Sequence, residues 1–438
     1  MKSQTITNPR KKNNILAING GKKAVIAPTP ESFLHGPQEI GQEEIDAVTR
    51  VLQSKSLFRF FKDRSESAVA QFEDLFAEKS GAKYVLAVNS GTSALIAGLV
   101  GIGVSQGDEV LVPAYTYIAT AAAVLAIGAI PVIVEVDGAL TIDPQDIVKK
   151  ITPRTKAIIP VHMRGVPCDM EKIVAIAKEH GLKVIEDCAQ ANGGFYKGRA
   201  LGLWGDVGEY SLQHFKIITA GEGGVVVTND KSTFERAAIY HDSAYTFWLE
   251  GNVKQQDLPA FEEWRKTCFL GVNYRQSELH GAVALEQLKK RDAILARTRS
   301  IKKRLLAACR ALPGVTPEIS HDSEGDCGIS LAIFAENAEE AQKLAKILQA
   351  EGVACGTRFS RQIPDRHVFF HWDYIMEKRT PHANGFPWNS TSVEYTKEMC
   401  PRTVEWLERV IVFLITQRMS DAFVDQTCEA IQKVARNR

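Results

Sequence analysis

One lysine, Lys216, lies between a β-like run that includes Ser211 and a glycine-rich turn at residues 220–224. Upstream of it, the acidic pair Glu186-Asp187 closes an apolar strand. An amine and a carboxylate in such positions suit pyridoxal phosphate (PLP) chemistry. In that chemistry the lysine forms a Schiff base with the cofactor aldehyde, and the carboxylate keeps the pyridine nitrogen protonated. The two residue types therefore predict Lys216 and Asp187 as a catalytic pair.

Both residues also have ordinary structural interpretations, because most lysines are solvated and a carboxylate at a strand end can cap a helix or loop. The residues around Lys216 and Asp187 favour the catalytic interpretation. Lys216 is flanked by hydrophobic and small residues, and an unpaired carboxylate at the end of an apolar strand would be costly. Lys216, once released by an incoming amine, would carry a proton between substrate and cofactor. Gln190 is placed to bond the phenolic oxygen of the cofactor.

Small polar residues open a helix directly after a strand at residues 90–95. Free N–H groups at a helix N-terminus point toward a bound anion, and small side chains let the backbone approach a phosphate. An ordinary helix cap explains the same residues, since Ser and Thr are preferred there. Ser211, shortly before Lys216, is a further candidate phosphate donor.

The aromatic residues Tyr115 and Tyr117 follow the end of another strand. At this position one of the two rings could stack on the pyridine of the cofactor. The alternative is that both rings belong to the hydrophobic core. The polar cluster at residues 271–275 precedes a long helix and has a turn and helix cap as its simplest interpretation. Neither cluster by itself assigns a function.

The histidines do not predict a metal site. His162, His214 and His241 lie near the other motifs, but no two have the spacing of metal ligands. His367 and His371 can share one helix face, yet no carboxylate triad accompanies them. We expect satisfied or packing histidines and no metal.

The composition of the whole chain is that of an ordinary globular protein. Its 438 residues are 45% hydrophobic and 24% charged, with a net charge of +1, and two domains are expected. The charge balance predicts no nucleic-acid partner. No apolar run is long enough for a bilayer, and the N-terminus lacks the apolar core of a signal peptide. The eight cysteines lack zinc spacing and favour a reduced, cytoplasmic protein.

Residues 1–30 are predicted to be a flexible N-terminal extension, whose first part is polar and basic. Strands and helices then alternate, which indicates a mostly parallel sheet covered on both faces, with ligands at the carboxyl ends of its strands. The pattern changes after residue 271, where a long helix is expected. The predicted domains are residues 31–300, which hold the cofactor, and a smaller one at residues 301–438.

Motifs throughout the chain resemble the DegT/DnrJ/EryC1/StrS family of PLP-dependent sugar and cyclitol aminotransferases, a branch of the fold-type I enzymes. The segments that carry the resemblance include Asn89-Ser90-Gly91-Thr92-Ser93-Ala94-Leu95, Glu186-Asp187-Cys188-Ala189-Gln190, Gly205-Asp206-Val207-Gly208, the stretch from Ser211 to Lys216, Gly221-Glu222-Gly223-Gly224 and Asn273-Tyr274-Arg275. The resemblance implies an α/β fold: a large domain with a mostly parallel seven-stranded sheet and a smaller C-terminal α+β domain.

The resemblance also implies roles for single residues. It makes Lys216 the Schiff-base lysine and Asp187 the partner of the pyridine nitrogen. The other implied cofactor contacts are Gln190 at the ring oxygen, Thr92, Ser93 and Ser211 at the phosphate, Tyr117 stacked on the ring and Gln213 close to the cofactor. Asn273 matches a residue that reaches the phosphate from the neighbouring subunit, which implies a homodimer with shared active sites.

Two departures bear on the substrate. Many family members have histidine where this chain has Gln213. With glutamine at this position, the chain resembles the subgroup that acts on keto-cyclitols. Residues 57–60 and 162–165 resemble instead an aminotransferase of eight-carbon keto-acid sugars. Related dehydratases replace the Schiff-base lysine with histidine, so the presence of Lys216 disfavours their chemistry.

These observations predict a ping-pong aminotransferase that moves an amino group from glutamate or glutamine to a keto-sugar, keto-cyclitol or keto-acid sugar. Arg59, Arg164 and Arg275 are candidates for binding substrate carboxylates, since guanidinium matches carboxylate geometry. One alternative is a PLP-dependent dehydratase or aromatising enzyme acting on a cyclic ketone. Another is a non-catalytic sensor or regulatory protein that retains the fold.

Overall fold

The computed structural model describes residues 15–61, 63–243 and 267–438. Its strands are β1 Tyr84–Val88, β2 Glu109–Pro113, β3 Ile130–Val134, β4 Thr155–Ile158, β5 Lys183–Asp187, β6 Phe195–Tyr196, β7 Arg199–Ala200, β8 Val207–Ser211, β9 Gly224–Thr228, β10 Val315–Pro317, β11 Ser330–Ala335, β12 Cys355–Thr357 and β13 Val410–Leu414. They form one sheet of seven strands, one of four and a two-stranded ribbon.

The α-helices cover both faces of the large sheet and one side of the small one. They are α1 Gln42–Ser54, α2 Ala68–Ser80, α3 Gly91–Gly101, α4 Ala119–Ala126, α5 Pro144–Lys150, α6 Met170–His180, α7 Lys231–His241, α8 Glu278–Cys309, α9 Ala338–Ala350, α10 Asp373–Met376, α11 Pro401–Arg409 and α12 Asp421–Arg436. Single 3-10 turns occur at Ala17–Asn19, Gly36–Glu39, Arg64–Glu66, Met163–Gly165, Phe369–His371 and Trp388–Ser390.

The large sheet has the strand order β1-β9-β8-β5-β4-β2-β3. Six strands run in one direction, and only β9 is reversed, pairing antiparallel with both β1 and β8. Strands β2, β3 and β9 are buried along their whole length, because helices cover both sides of the sheet. The predicted seven-stranded, mostly parallel sheet is therefore confirmed.

Helix α3 is apolar on every side and packs against the centre of this sheet. It has no polar face, because the sheet lies on one side and helices α4 and α7 on the other. Gly98 allows the close approach: a Cβ at this position would lie 2.7 Å from Cδ1 of Ile185 on β5. The N-terminus of α3 is thereby held at the carboxyl ends of the strands.

The C-terminal part is built on an antiparallel sheet in the order β10-β11-β13-β12. Helices α9 and α12 and the second half of α8 bury one face of it, around residues such as Ile333 and Phe413. This confirms the predicted smaller α+β domain. Helix α8 runs without interruption through residue 300, so the predicted boundary falls inside a helix that belongs to both parts.

The predicted N-terminal extension differs in part from expectation. Residues 1–14 lie outside the described residues, but the segment from residue 15 to 30 is packed against the C-terminal domain. Val25 is buried in its core, and both carboxylate oxygens of Glu351 accept hydrogen bonds from the segment, at 2.7 Å from Ala17 N and 3.0 Å from Ala24 N. A buried anchor and fixed hydrogen bonds are not properties of a free extension.

Within the described ranges 15–61, 63–243 and 267–438, no helix combines the length and the apolar character needed to cross a bilayer.

Glu278, the first residue of α8, caps the N-terminus of α2. Its Oε1 accepts from Ser67 Oγ at 2.6 Å and its Oε2 accepts from Ala68 N at 2.8 Å, and the residue is fully buried. These bonds satisfy donors that the first turn of a helix leaves without a partner.

Replacing Glu278 with Ala should lower the free energy of unfolding by about 2–4 kcal/mol, because it leaves buried donors unsatisfied. Chemical denaturation measures this change. Lys303→Ala, at an exposed position of the same helix, is the control and should stay within about 0.5 kcal/mol of the unmodified protein. Equal stability of the two variants would contradict the capping role.

Candidate active site

The carboxyl ends of the parallel strands and the N-terminus of α3 surround one cavity of about 280 Å³. Parallel strands end at the same edge of a sheet, so residues far apart in the chain meet there. The cavity is lined by Ser90, Gly91, Thr92, Leu95, Thr116, Tyr117, Ala119, Thr120, Val161, Asp187, Ala189, Gln190, Glu209, Ser211, Gln213, Lys216 and Glu222. Seven of the predicted cofactor residues are among them.

Lys216 lies in the loop that joins β8 to the reversed strand β9. The loop is fixed on both sides of the lysine: Lys216 N donates to Gln213 O at 3.0 Å, and Gly36 N donates to Lys216 O at 3.1 Å. Burial lowers the pKa of the Lys216 amine, while the charges of Asp187, Glu209 and Glu222 act in the opposite direction. A lowered pKa raises the fraction of neutral amine, the form that attacks a carbonyl.

Asp187 ends β5 at the floor of the cavity and is held by two donors. Its Oδ2 accepts from Thr120 Oγ1 at 2.9 Å, and its Oδ1 accepts from Ala189 N at 3.1 Å. The Thr120 hydroxyl lies 2.8 Å from that of Thr116, which extends the hydrogen-bonded chain. No lysine or arginine within the described parts of the chain forms an ion pair with Asp187, so its charge remains available to a cationic ligand atom in the cavity.

Gly91 opens α3 and lets the N-terminus of this helix pack closely against Ser211 at the end of β8. A Cβ at Gly91 would lie 2.8 Å from Cβ of Ser211, and one at Gly224 would lie 2.2 Å from the carbonyl oxygen of Ser90. The N–H groups of the first helical turn have no partner inside the helix. Small residues and unpaired N–H groups together form an anion cradle.

The two predicted phosphate contacts of α3 differ in position. Thr92 lines the cavity, whereas Ser93 is turned into the cap of the helix. Ser93 Oγ donates to Asn89 Oδ1 at 2.7 Å, and Ser93 N donates to Ser90 Oγ at 3.0 Å. The phosphate role of Ser93 stays a prediction, and its hydroxyl has a structural partner here.

Gln190 is oriented by the backbone of Arg164. Its Oε1 accepts from Arg164 N at 2.9 Å, so its amide NH2 group is the part left for the cavity. Arg164 has a left-handed backbone with φ of 59°, followed by Gly165 at 77°. The turn thus presents an N–H group to Gln190 and leaves Gln190 a donor toward an acceptor such as a phenolic oxygen.

Of the two tyrosines, Tyr117 lines the cavity and Tyr115 belongs to the core. The Tyr117 ring is 39% exposed, and its centroid lies 5.3 Å from that of His367, which comes from the C-terminal part of the chain. Burial raises the pKa of the Tyr115 phenol. Gln213 also lines the cavity, and its Oε1 accepts from Phe215 N at 2.8 Å.

The three predicted substrate arginines are engaged by carboxylates. Arg59 is buried and donates through Nη2 to both oxygens of Glu73 at 2.7 Å. Arg164 donates to Glu318 Oε2 at 2.6 Å, and Arg275 pairs with the buried Asp242. None of the three lines the cavity. Their substrate role stays a prediction, and the contacts of Arg59 and Arg164 favour a structural role.

Asn273 is exposed and lies outside the cavity of its own chain. Its Oδ1 accepts from Arg275 N at 3.2 Å. An exposed position away from the chain's own site is compatible with the expected contact to a second subunit, which stays a prediction.

One buried group could in principle hold a metal, since donor atoms of His162, Glu186 and Cys188 lie within 4.8 Å of one another. Their hydrogen bonds argue for a structural role. His162 Nδ1 accepts from Cys168 N at 3.1 Å, so Nε2 carries the proton that faces Glu186. Glu186 also accepts three backbone N–H bonds, from Gly202, Trp204 and Gly205, at 2.6 to 2.8 Å. The absence of a metal stays a prediction.

Thr120 and Glu209 are among the cavity residues that the sequence analysis did not single out. A signal existed for Glu209, since alternate residues of a strand share a face and Glu209 stands two positions before Ser211. Thr120 had no comparable signal, because its contact with Asp187 joins a helix to a strand far away in sequence.

The profile of the DegT/DnrJ/EryC1/StrS aminotransferase family matches residues 38–414, and the chain belongs to this family. Members of the family use PLP as cofactor, so the predicted family and cofactor are confirmed.

Three known proteins illustrate the similarity. A GDP-perosamine synthase from Escherichia coli O157:H7 is 41% identical over 234 residues, 53% of this chain and 60% of that enzyme, so less than two thirds of that enzyme is matched. A putative L-glutamine:3-amino-2,3-dideoxy-scyllo-inosose aminotransferase from Streptomyces kanamyceticus is 36% identical over 301 residues, 68% of each chain. The crystal structure of 3-amino-5-hydroxybenzoic acid synthase superposes with a TM-score of 0.75 at 25% identity, covering 95% of this chain and 100% of that one.

The residues present fit PLP. The cavity combines an amine with a lowered pKa, a carboxylate without a cationic partner, and a glycine cradle at a helix N-terminus. These three features match the aldehyde, the pyridine nitrogen and the phosphate of the cofactor.

Lys216→Ala should abolish covalent attachment of the cofactor and lower amino transfer about 100- to 10,000-fold, because it removes both the nucleophile and the proton carrier. Borohydride reduction followed by peptide mass spectrometry locates the labelled lysine. Lys183→Ala is the control, since this half-exposed lysine at the other end of β5 pairs with Asp206. Label on a lysine other than Lys216 would overturn the assignment.

Proposed function

We propose that this protein transfers an amino group from glutamate or glutamine to the ketone of a sugar, cyclitol or related keto-acid sugar. The observation that carries the proposal is the convergence of Lys216 and Asp187 in one cavity beside the glycine cradle. The acceptor class is supported by relatives named as a perosamine synthase and an inosose aminotransferase. Glutamine as donor is supported by the name of the second relative.

Bound PLP supplies an electron sink that stabilises negative charge on the substrate carbon. The chain supplies the other functions. Asp187, held by Thr120 and Ala189, keeps a negative charge at the place where the pyridine nitrogen would be, and Gln190 directs its NH2 group into the cavity. Lys216 would hold the cofactor through its amine and, once released by the donor amine, would move protons at the substrate carbon.

Burial of Lys216 serves both of its tasks. The lowered pKa of its amine makes the neutral form, which accepts a proton, more abundant. The hydrogen bonds on its backbone hold the loop while the side chain is released, so the amine stays close to the reacting carbon. The same group therefore acts in both half-reactions of a ping-pong cycle.

A homodimer is the second part of this proposal. Four of the exposed apolar side chains bear on this question. Leu57 and Phe61 precede α2, Phe215 adjoins Lys216, and Leu270 precedes Asn273. Exposed apolar groups close to a site favour a protein interface there. Together with the exposed Asn273, they support a dimer in which each subunit completes the site of the other.

We place the enzyme in the cytoplasm. All eight cysteines are free thiols, and burial raises the pKa of several of them, among them Cys168, Cys188 and Cys327. Inert, reduced thiols suit a reducing compartment.

Glutamine or glutamate, added to the PLP-loaded protein without an acceptor, should shift the visible absorbance band of the bound cofactor to the near ultraviolet. The reason is that amino transfer leaves the amine on the cofactor, which removes the conjugated lysine linkage. Stopped-flow absorbance measures the shift, and a keto-sugar should restore the band. Lys216→Ala lacks this linkage from the start and should not give the near-ultraviolet band, because the residue that moves the proton is missing. Product formation without loss of the donor's amine would favour the dehydratase alternative.

The dimer model predicts complementation between two inactive variants, Lys216→Ala and Asn273→Asp. If Asn273 serves the neighbouring site, mixed dimers contain one intact site of two, and activity should return to about a quarter of the unmodified level after random mixing. Lys216→Ala mixed with Asp187→Ala is the control, since both residues serve the same site and nothing should return. Recovery in the control, or none in the first mixture, would contradict the shared site.

A further inference from the structure

Glu209 is a carboxylic acid in the floor of the cavity, and neither Lys216 nor any arginine in the part of the chain that the structure describes forms an ion pair with it. It lies on β8, directly opposite Asp187 of β5 in the parallel register, and it is fully buried. Alternation along the strand puts its side chain on the same face as Ser211. Its backbone carbonyl accepts from Cys188 N at 2.9 Å, which fixes the strand against the loop that follows Asp187.

Neither carboxyl oxygen of Glu209 receives a hydrogen bond from an N–H or alcohol donor among the residues that the structure describes. A buried ionised carboxylate without donors is costly, whereas a protonated acid needs only an acceptor for its own O–H group. The neighbouring acceptor is Asp187. Burial, the charge of Asp187 and a hydrogen bond between the two side chains raise the pKa of Glu209 well above its usual range. The charge of Lys216 acts in the opposite direction, as does the Ala189 N–H group, which donates to Asp187 Oδ1 and only points toward Glu209.

The carboxylate of Asp187 can accept one further hydrogen bond, from the protonated carboxyl group of Glu209. A carboxylate accepts about four hydrogen bonds. Thr120 occupies one position of Oδ2 and Ala189 N occupies one of Oδ1, at 2.9 and 3.1 Å. A pyridine N–H group would take the third, so the fourth is left for Glu209. Two adjacent carboxyl groups in a buried site favour the state in which they share one proton.

We propose that Glu209 is a positioning residue: a neutral acid that donates a hydrogen bond to Asp187 and holds that carboxylate, singly charged, beneath the pyridine nitrogen. This rests on the proposed role of Asp187. The bond stabilises the ionised form of Asp187 and fixes its orientation, while the cavity gains no second negative charge. The charged groups that face Glu209 are Asp187 from β5 and Lys216 from the following loop; the residues that α3 and α4 contribute to the cavity are uncharged.

The first test uses the protein without cofactor and measures its unfolding as a function of pH. Glu209 would keep its proton in the folded state but lose it in the unfolded chain above a pKa of about 4.3. The folded state therefore binds the extra proton, and the unmodified protein loses stability as pH rises from that value through the folded pKa of Glu209. Glu209→Gln cannot titrate and should lack this loss.

The expected signature is a ratio of unfolding constants, unmodified protein over Glu209→Gln, that grows by up to about tenfold per pH unit in this window. Asp187→Asn should reduce the increase of this ratio with pH, because the substitution removes the charge and the acceptor next to Glu209. Glu179→Gln, at an exposed carboxylate of α6, should follow the unmodified protein. A pH-independent ratio for Glu209→Gln would mean that Glu209 is ionised, and would overturn the proposal.

The second test measures binding of PLP to the same protein, together with an analogue that carries C–H in place of the ring nitrogen. Glu209→Gln retains a donor toward Asp187 and should bind PLP within about twofold of the unmodified protein. Glu209→Leu lacks the donor and should bind PLP about tenfold more weakly, while its affinity for the analogue changes little.

Equal weakening of both ligands by Glu209→Leu would show a packing role and overturn the proposal. If Glu209→Leu does not fold, the comparison of Glu209→Gln with Asp187→Asn in the unfolding experiment decides alone. Failure of the unmodified protein to bind PLP would refute the proposed function instead, and the unfolding experiment would still report whether the two carboxyl groups share a proton.

Discussion

The burial of one negative charge at the centre of the sheet is the constraint on which the rest of the site depends. Asp187 ends β5 in a region enclosed by helices, where an ionised carboxylate is stable only if donors surround it. Thr120 and Ala189 N supply two donors, and a protonated pyridine would supply a third. The sheet order matters for this reason: it places β8, with Glu209 and Ser211, next to β5.

The reversal of β9 is the second element that the site needs. Strands β8 and β9 form a hairpin whose loop returns over the carboxyl ends of the sheet, and Lys216 lies in that loop. A right-handed crossover would have carried the chain away over a helix. The loop is pinned across its width, since Leu212 N donates to Gly223 O and His214 N donates to Gly221 O, both at 2.9 Å. The amine is therefore held opposite the carboxylate rather than on a free surface loop.

Local patterns predict much of this architecture. The alternation of strands with helices and the long helix after residue 271 follow from residues close in sequence, and the structure agrees with both. The direction of β9 has no local signal, because an apolar run has the same appearance in either direction. The pairing of β13 with β11 and β12 also has no local signal, because it depends on the packing of the whole C-terminal domain.

The residues of the site likewise divide into those that local sequence predicts and those that it does not. Lys216, Asp187 and the helix opening at Gly91 are predictable because each has a local motif whose chemistry is known. The orientation of Gln190 is not, since it depends on an N–H group presented by Arg164 from a left-handed turn. The substrate role that residue type suggested for the arginines stays a prediction: Arg59 and Arg164 are buried with carboxylates, where a lost partner would leave an uncompensated charge.

Among the residues that the structure describes, the cavity lining of one chain offers no arginine for a substrate carboxylate. The ionisable residues of that lining are Lys216 and three carboxylic acids. Arg275 is the remaining candidate, because it is only half-buried and lies two residues from Asn273. Both residues form single β-bridges, in which alternate residues share a face. A contact that brings Asn273 to the neighbouring cavity would bring Arg275 close to it as well, so phosphate binding and carboxylate binding would both depend on assembly of the dimer.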